Sequence, residues 1–322
     1  MESRITDQIR LACQAVAQRS RYVRIDLGRL AEYARTLPID RLAQPQLDRS
    51  RYYLGHGDDT VAFFLTLNAV NFGSGYFPHL RKRPGMSGFY TIASSINDYY
   101  RDHGPLSAER LVGITVDDCL AIFDQDPADA PARELMGLFA LAWNDLGRYL
   151  RDQFQGRFTE LAAAAERSAI RLIGILAEMP FFRDVERYDE LEVPFYKRAQ
   201  ITSADLALAF DGRGPGQFYD LDQLTMFADN LVPHVLRLDG VLVYDQRLAE
   251  RIDREELIPA GSVEEVEIRA SAVHTVELIV AQLRAEGHEM TASQIDYLLW
   301  NRGQEPYYKR TKPRHRTRTV FY

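Results

Sequence analysis

Cysteine and long apolar runs are both scarce in this chain. Only two cysteines occur among the 322 residues, Cys13 and Cys119, which is too few for a disulfide scaffold or a cysteine-based zinc site. No stretch approaches the length of apolar sequence, about eighteen residues, that a membrane-spanning helix needs. The first residues, MESRITDQIR, lack the apolar segment of a secretory signal. These absences predict a cytoplasmic protein without a membrane partner.

Several motifs of cofactor and metal chemistry are absent as well. The chain has no GxxxxGK[ST] phosphate loop, no GxGxxG after a predicted strand and no GxSxG nucleophile turn. Its seven histidines are scattered, and no two of them have the i, i+4 spacing of a helical metal site. The sequence therefore predicts neither a bound metal nor a cofactor.

The charge balance bears on the class of partner. Lys and Arg number 39 against 46 Asp and Glu, which gives a formal net charge of −7. Because a protein that binds nucleic acid through its phosphates needs basic surface, this balance predicts a small-molecule substrate and no stable nucleic-acid partner. Only four of the 39 basic residues are lysines. Since arginine is the usual cation here, each lysine is a candidate for a specific role.

Apolar residues recur mostly at helical spacing, and evidence for strands is thin. The predicted helices cover residues 6–18, 30–37, 59–70, 90–100, 130–153 and 158–179. The apolar run at 241–244 fits either a short strand or the entry to a helix. No repeat or low-complexity linker interrupts the chain. The pattern predicts an all-α fold in a single unit, with two lobes that could meet near residue 180.

The segment PFYKRAQITSAD, residues 194–205, predicts a helix with Lys197 and Arg198 in its first turns. This start resembles the second helix of a helix–hairpin–helix element, whose exposed backbone amides attract phosphate oxygens. An ordinary amphipathic helix with a solvated basic end explains the same pattern. The residues alone leave both interpretations open.

One carboxylate, Asp229, follows an apolar run and precedes a predicted helix. Met226 and Phe227 come before it, and Pro233 after it suits the opening of that helix. The dipole and unpaired amides at such a position favour the ionised carboxylate. A charged carboxylate among apolar residues can stabilise a developing cation or orient a water. The alternative is an aspartate that only caps the helix.

Two further carboxylates lie within apolar helical patterns. Glu267 shares a face with Ser271 and His274 on a helix predicted over residues 264–283, where these groups could contact a ligand or face water. The solvated arrangement is the favoured interpretation. Asp296 lies inside the apolar pattern QIDYLLW and needs a polar partner if it is buried.

The last residues, EPYYKRTKPRHRTRTVFY, are basic and aromatic but end on the apolar sequence VFY. Basic tails are commonly solvated arms, whereas an apolar end favours docking onto the protein. A docked tail would bring His315, Arg316 or Arg318 onto a phosphate group.

Several blocks follow one another in a recognisable order. They are FYKRAQI (195–201), TMFAD (225–229), EVEIR (265–269), VELI (276–279), Asp296 with Leu299 and Trp300, and HRTRTVFY (315–322). In this order they resemble the queuosine salvage protein family, and Asn71-Phe72 resembles the family's Asn-Phe pair after an apolar helix. The chain departs from some members at Asn230-Leu231 and after Phe72, which affects the pocket lining rather than the activity.

The resemblance implies an all-α fold similar to that of helix–hairpin–helix DNA glycosylases, in one domain over residues 1–322. It implies hydrolysis of the N-glycosidic bond of queuosine 5′-monophosphate to queuine and ribose 5-phosphate, with Asp229 as the catalytic residue. The residues expected to bind substrate are Asn71, Phe72, Lys197, Met226, Phe227, Glu267, Asp296, His315 and Arg316. Two alternatives remain open: a helix–hairpin–helix glycosylase directed to DNA or RNA, and a non-enzymatic helical module that binds RNA through its tail.

Overall fold

The structure, a computed structural model, describes residues 4–41 and 46–322. In chain order its elements are α1 (Ile5–Arg19), β1 (Val23–Ile25), α2 (Leu27–Thr36), α3 (Asp58–Ala69), α4 (Gly88–His103), α5 (Ala108–Val112), α6 (Val116–Ile122), α7 (Ala130–Phe154), α8 (Phe158–Ala164), α9 (Ala169–Leu176), β2 (Val185–Tyr188), β3 (Leu191–Pro194), α10 (Lys197–Ala209), α11 (Leu231–Leu238), β4 (Leu242–Tyr244), α12 (Gln246–Asp253), α13 (Val263–Ala285), α14 (Ala292–Arg302) and α15 (Pro306–Arg310), with short 3-10 turns at Ile39–Arg41, Gly214–Gly216 and Leu221–Gln223. Helices dominate these residues, which confirms the prediction of a mainly helical fold. Among them, no helix has both the length and the apolar character needed to cross a membrane.

The described residues form two compact units. The first contains residues 4–41, 184–197 and 222–318, and the second contains residues 46–183, 198–221 and 319–322. The chain passes between the units several times, once after Arg183. Because neither unit is continuous in sequence, no single cut in the chain separates them.

The first unit is built around α13. Ser262 caps this helix by accepting a hydrogen bond from the N–H of Glu265, and its apolar residues recur at helical spacing. Helices α1 and α2 pack against α13, and β1 pairs antiparallel with β4 so that Arg24 lies opposite Val243. Most of α13 is buried, including several of its polar residues, which makes it the central helix of this unit.

The second unit packs α3 and α4 with the helices α5 to α9 around buried aromatic side chains. Trp143 of α7 is fully buried, and its Nε1–H donates to the carbonyl of Thr66 in α3 at 2.9 Å. Gly147 lets α5 approach α7 closely, because a Cβ at this position would lie 2.7 Å from the carbonyl oxygen of Ala108.

The sequence predicted one helix over 158–179, and the structure has two. Between α8 and α9, Glu166 and Arg167 have φ values of 50° and 61°, in the left-handed region that ends a helix. Ser168 then caps α9, and its hydroxyl donates to Asp220 at 2.5 Å. The prediction was wrong because the break depends on a partner 52 positions along the chain, which helical periodicity cannot register.

Strands were the other gap in the prediction. An antiparallel hairpin of β2 and β3 leads directly into α10, with Val185 opposite Pro194 and Tyr188 opposite Leu191. The structure does not support the helix–hairpin–helix interpretation of the start of α10, since a β-hairpin directly precedes this helix. Strands of three or four residues are too short for alternation to be visible in sequence. The run at 241–244 contains β4, so its strand interpretation is confirmed.

The C-terminal tail is docked, as its apolar end predicted. Tyr322 is only 3% exposed, and its carbonyl accepts a hydrogen bond from the N–H of Gly73 at 3.0 Å within the second unit. In the first unit, Arg316 forms a parallel bridge with Leu257, and Thr317 is fully buried.

Candidate active site

Asp229 lies between buried Ala228 and the first turn of α11, and its side chain is half-buried. Its Oδ1 accepts hydrogen bonds from the backbone N–H groups of Leu231 at 2.8 Å and Val232 at 3.2 Å. These donors have no partner inside the helix, so the carboxylate interacts with two amides and with the positive end of the helix dipole. Asp229 is therefore fixed in position and still partly open to solvent.

A second carboxylate, Asp296 of α14, lies within electrostatic reach of Asp229. It is 5% exposed, and its Oδ1 accepts a hydrogen bond from the N–H of Phe227 at 3.1 Å. Burial raises the pKa of Asp296 well above its ordinary value, and the charge of Asp229 raises it further, while the Phe227 N–H and the charge of Lys197 oppose the rise. The site thus pairs one carboxylate stabilised by helix amides with one that holds its proton to higher pH.

Lys197, the first residue of α10, is buried with 6% of its surface exposed. Its charge acts on Asp296 and lowers the pKa of that carboxyl. Its backbone N–H donates to Oδ2 of Asp184 at 3.1 Å. The prediction that the helix-start amides attract phosphate is wrong for this amide, because Asp184 binds it. Any contact of Lys197 with a ligand therefore belongs to its side chain.

Arg314, a cation of the C-terminal tail, interacts electrostatically with Asp229. Its side chain is exposed, yet surrounding protein lowers the pKa of Arg314 by desolvation, and the charge of Asp229 raises it. The candidate site therefore contains two carboxylates and two cations from four separate stretches of the first unit, and the charge of Asp229 acts on Asp296 and Arg314 while that of Lys197 acts on Asp296.

The two tail residues predicted to bind substrate have other surroundings. Burial, followed by the charge of Arg269, lowers the pKa of His315 to about 3, so its imidazole is neutral at neutral pH. The guanidinium of Arg316 donates to the backbone carbonyl of Glu255. Their predicted role as charged phosphate ligands is not supported by these contacts, and Arg314 is the better candidate.

The environment of Glu267 differs clearly from the solvated one that the sequence favoured. It is fully buried rather than solvated, because the segment between α1 and β1 and the β2 strand cover it. Its carboxylate accepts hydrogen bonds from the Ser20 hydroxyl, the Tyr188 hydroxyl and the backbone N–H groups of residues 21–23, at 2.6–3.2 Å. These donors occupy both oxygens, so the proposed site does not include Glu267.

Four other predicted binding residues differ in their accessibility. Met226 is fully buried in the core of the first unit, whereas Phe227 is half-buried and can contact a ligand. In the second unit, Phe72 is 2% exposed and its ring centre lies 4.9 Å from the guanidinium carbon of Arg198. The ring of Phe72 therefore packs against protein, and its predicted stacking on a base is not supported. Asn71 donates through Nδ2 to Oδ1 of Asn68 at 3.0 Å.

Comparison with known proteins agrees with the blocks of sequence around this site. The profile of the queuosine salvage protein family matches residues 52–322. The chain belongs to this family. A queuosine 5′-phosphate N-glycosylase/hydrolase of Sphaerobacter thermophilus is 38% identical over 312 residues, which are 95% of each chain. Relatives with the same name are 32% identical over 248 residues in Bos taurus (73% of this chain, 72% of that one) and 41% identical over 179 residues in Dictyostelium discoideum (55% and 56%).

Three residues of this region, Asp184, Arg269 and Arg314, were not singled out in the sequence. Arg314 is one of several alternating tail cations, and the tail has no regular period that would distinguish its neighbours. Asp184 and Arg269 are linked by a buried ion pair between residues 85 positions apart. The one usable clue was Arg269, which lies three residues after Val266 and four before Val273, on the apolar face of α13, because a buried arginine needs an acidic partner.

The contacts of Glu267 predict an effect on stability. Glu267→Gln replaces an acceptor by an amide that faces several donors, so we expect the free energy of unfolding to fall by about 1.5–3 kcal/mol. Chemical denaturation of the two proteins measures this difference. A variant with unchanged stability and a raised KM would instead assign Glu267 to substrate binding.

Proposed function

We propose that this chain hydrolyses the N-glycosidic bond of queuosine 5′-phosphate, releasing queuine and ribose 5-phosphate, with Asp229 as the catalytic carboxylate. Membership of the queuosine salvage family and the names of its relatives support the substrate and the reaction. The observation that carries the assignment of Asp229 is its carboxylate held by the Leu231 and Val232 amides and partly open to solvent.

Asp229 suits the charge that develops in this reaction. Cleavage of an N-glycosidic bond passes through a state in which the sugar resembles an oxocarbenium ion, so positive charge grows at the anomeric carbon. A fixed carboxylate beside that carbon stabilises the charge without reorganising, which makes electrostatic stabilisation effective. The same carboxylate can instead act through a water that it orients toward the anomeric carbon. Both roles require the ionised form of Asp229.

Asp296 and Phe227 are the groups that we assign to the base. Queuine is a 7-deazapurine and has no N7 to protonate. Its departure therefore depends on hydrogen-bond donors that stabilise the negative charge developing on the other heteroatoms of the ring. A protonated Asp296 would be such a donor, and burial together with the charge of Asp229 shifts the pKa of Asp296 in the direction that favours the protonated form. The half-buried ring of Phe227 is available for stacking beside it.

The role of Asp296 as a neutral donor leads to a test with two variants. Asp296→Asn keeps an acceptor for the N–H of Phe227 and supplies an N–H donor, so we expect it to retain turnover within about tenfold, since a neutral donor of similar shape remains. Asp296→Ala removes the donor and should lose considerably more. Turnover of queuosine 5′-phosphate measures both. Equal loss in the two variants would show that the carboxylate itself is required.

The pH dependence of folding stability gives a second test of the raised pKa of Asp296. An acid whose pKa is higher in the folded state takes up protons on folding, so stability falls as pH rises from the unfolded pKa toward the folded one. We expect this decline to be smaller in Asp296→Asn than in the wild-type protein. Because Asp229 contributes to the raised pKa of Asp296, the pKa of Asp296 should also fall in an Asp229→Asn variant.

Lys197 and Arg314 are the groups that we assign to the 5′-phosphate. Both are cations whose charges act on the two carboxylates, one from α10 and the other from the tail. Charge-assisted hydrogen bonds from such groups to phosphate oxygens are among the strong ones in proteins. A phosphate held by these two groups would orient the sugar for cleavage.

The alternatives have less support. The docked tail, with Tyr322 3% exposed, does not resemble a free RNA-binding arm, and the net charge of −7 does not suit a duplex-binding glycosylase. Similarity of the whole fold to helix–hairpin–helix DNA glycosylases, a cytoplasmic location and independence from cofactors stay predictions.

The activity is tested by incubating the purified protein with queuosine 5′-phosphate and following free queuine by chromatography. We expect release without added metal or nucleotide. Parallel incubations with modified transfer RNA and with damaged duplex DNA serve as controls, since preference for either polymer would favour an alternative function.

A further inference from the structure

Asp184 holds three consecutive backbone N–H groups at the entry to α10. Its carbonyl oxygen accepts hydrogen bonds from Phe195 at 2.9 Å and Tyr196 at 3.2 Å, and its Oδ2 accepts one from Lys197 at 3.1 Å. Tyr196 has a φ of 47°, in the left-handed region that residues other than glycine rarely adopt. Such a conformation persists only where surrounding contacts fix it, and Asp184 supplies these contacts.

Arg269 of α13 connects Asp184 to the peptide that precedes Asp229. Its Nη1 and Nη2 donate to the Asp184 carboxylate at 3.0 Å and 2.6 Å, and its Nε donates to the carbonyl of Ala228 at 3.0 Å. The guanidinium carbon lies 4.0 Å from the ring centre of Phe195. Arg269 is 0% and Asp184 1% exposed, so both charges are removed from solvent.

We propose that Arg269 and Asp184 are positioning residues that set the placement of Asp229 relative to Lys197, an inference that rests on the roles proposed for those two residues. The guanidinium is planar and its donors point in fixed directions, so one rigid group determines both the Ala228–Asp229 peptide and the start of α10. A buried ion pair is weak evidence for stability, because apolar replacements are often as stable. The contribution that we assign to this ion pair is instead to fix the relative positions of the two backbone segments that it joins.

Arg269→Lys separates geometry from charge. Lysine keeps the positive charge beside Asp184 but cannot make two bonds to the carboxylate and a third to the Ala228 carbonyl in the same plane. We expect turnover of queuosine 5′-phosphate to fall by about 10²-fold, the effect of misplacing catalytic groups by about an ångström. Asp184→Asn, which weakens the same pair from its other side, should give a loss of the same order. If Arg269→Lys does not fold, Asp184→Asn is used to test the proposal instead.

Amide hydrogen exchange tests the positioning role independently of activity. We expect exchange to become faster at both Lys197 and Leu231 in Arg269→Lys, because the first amide binds Asp184 and the second binds Asp229. Unchanged exchange at either amide would overturn the proposal, whatever the activity of the protein on queuosine 5′-phosphate.

A double variant and a control complete the experiment. If Arg269 acts through Asp229, Asp229→Asn combined with Arg269→Lys should be no more than about threefold slower than Asp229→Asn alone, because residues that act as a unit are not additive. Additive losses would contradict the proposal.

Asp239→Asn is the control for the loss of a buried carboxylate. Asp239 pairs with Arg302 and accepts hydrogen bonds from two tyrosine hydroxyls in the same unit, without touching Arg269 or Asp184. This variant should keep its turnover at temperatures where it is folded. Turnover retained in Asp229→Asn would instead reject the role proposed for Asp229.

Discussion

Asp229→Asn is expected to lower the turnover of queuosine 5′-phosphate by at least about 10²–10³-fold, the usual cost of removing a main electrostatic group from an active site. Asparagine has nearly the same shape and still accepts hydrogen bonds from the Leu231 and Val232 amides. The helix start should therefore survive while the negative charge is lost. Steady-state kinetics with the nucleotide measure turnover, and calorimetry with queuine measures base binding, which should persist.

Asp245 provides a matched control for this substitution. It caps α12 in the same way, accepting hydrogen bonds from Arg247 at 2.9 Å and Leu248 at 3.4 Å. Asp245→Asn should leave turnover unchanged. If Asp229→Asn keeps about a third of wild-type turnover, a loss of well under 1 kcal/mol, then Asp229 is a helix cap like Asp245 and not the catalytic residue.

Lys197→Ala and Arg314→Ala are expected to reduce activity on queuosine 5′-phosphate strongly while barely affecting the slower reaction of the nucleoside without phosphate. Each charge-assisted hydrogen bond to a phosphate contributes about 1.5–3 kcal/mol, which corresponds to roughly 10–150-fold. Part of that energy orients the sugar, so turnover should fall as well as affinity. Kinetics on both substrates with each variant measure the difference.

Point substitution in the tail is preferable to truncation, because the docked residues after Arg314 contribute to both compact units. Lys312→Ala is the control for tail charge: Lys312 is exposed and binds Asp253 at 2.6 Å. It should behave as wild type on both substrates. Equal losses on nucleotide and nucleoside in Lys197→Ala or Arg314→Ala would assign those residues to the fold rather than to the phosphate.

Local sequence rules were sufficient where the determining contacts are local. The position of Asp229 before α11 follows from an acidic residue preceding an apolar helix that carries Pro233 in its first turn, and the structure has this arrangement. The start of α10 at Lys197 was likewise predicted from neighbouring residues, in the segment PFYKRAQITSAD. Helical periodicity likewise predicted α1, α3, α4, α7 and α13 to within a few residues.

Local rules failed where a distant segment decides the environment. Periodicity placed Glu267 on one face of α13, but only the fold shows that residues 20–23 and Tyr188 cover that face. The tail gave the same difficulty. Its alternating cations look equivalent in sequence, and the bridge between Arg316 and Leu257 determines which of them turns toward the carbonyl of Glu255.

The most direct test of the central claim is a side-by-side incubation of wild-type protein and Asp229→Asn with queuosine 5′-phosphate, with quantification of queuine and ribose 5-phosphate by mass spectrometry. We predict that the wild-type protein forms the two products in equal amounts and that Asp229→Asn forms them at least about 10²-fold more slowly. Queuine release by the folded Asp229→Asn variant at a rate near that of wild type, or no release by the wild-type protein, would contradict the account.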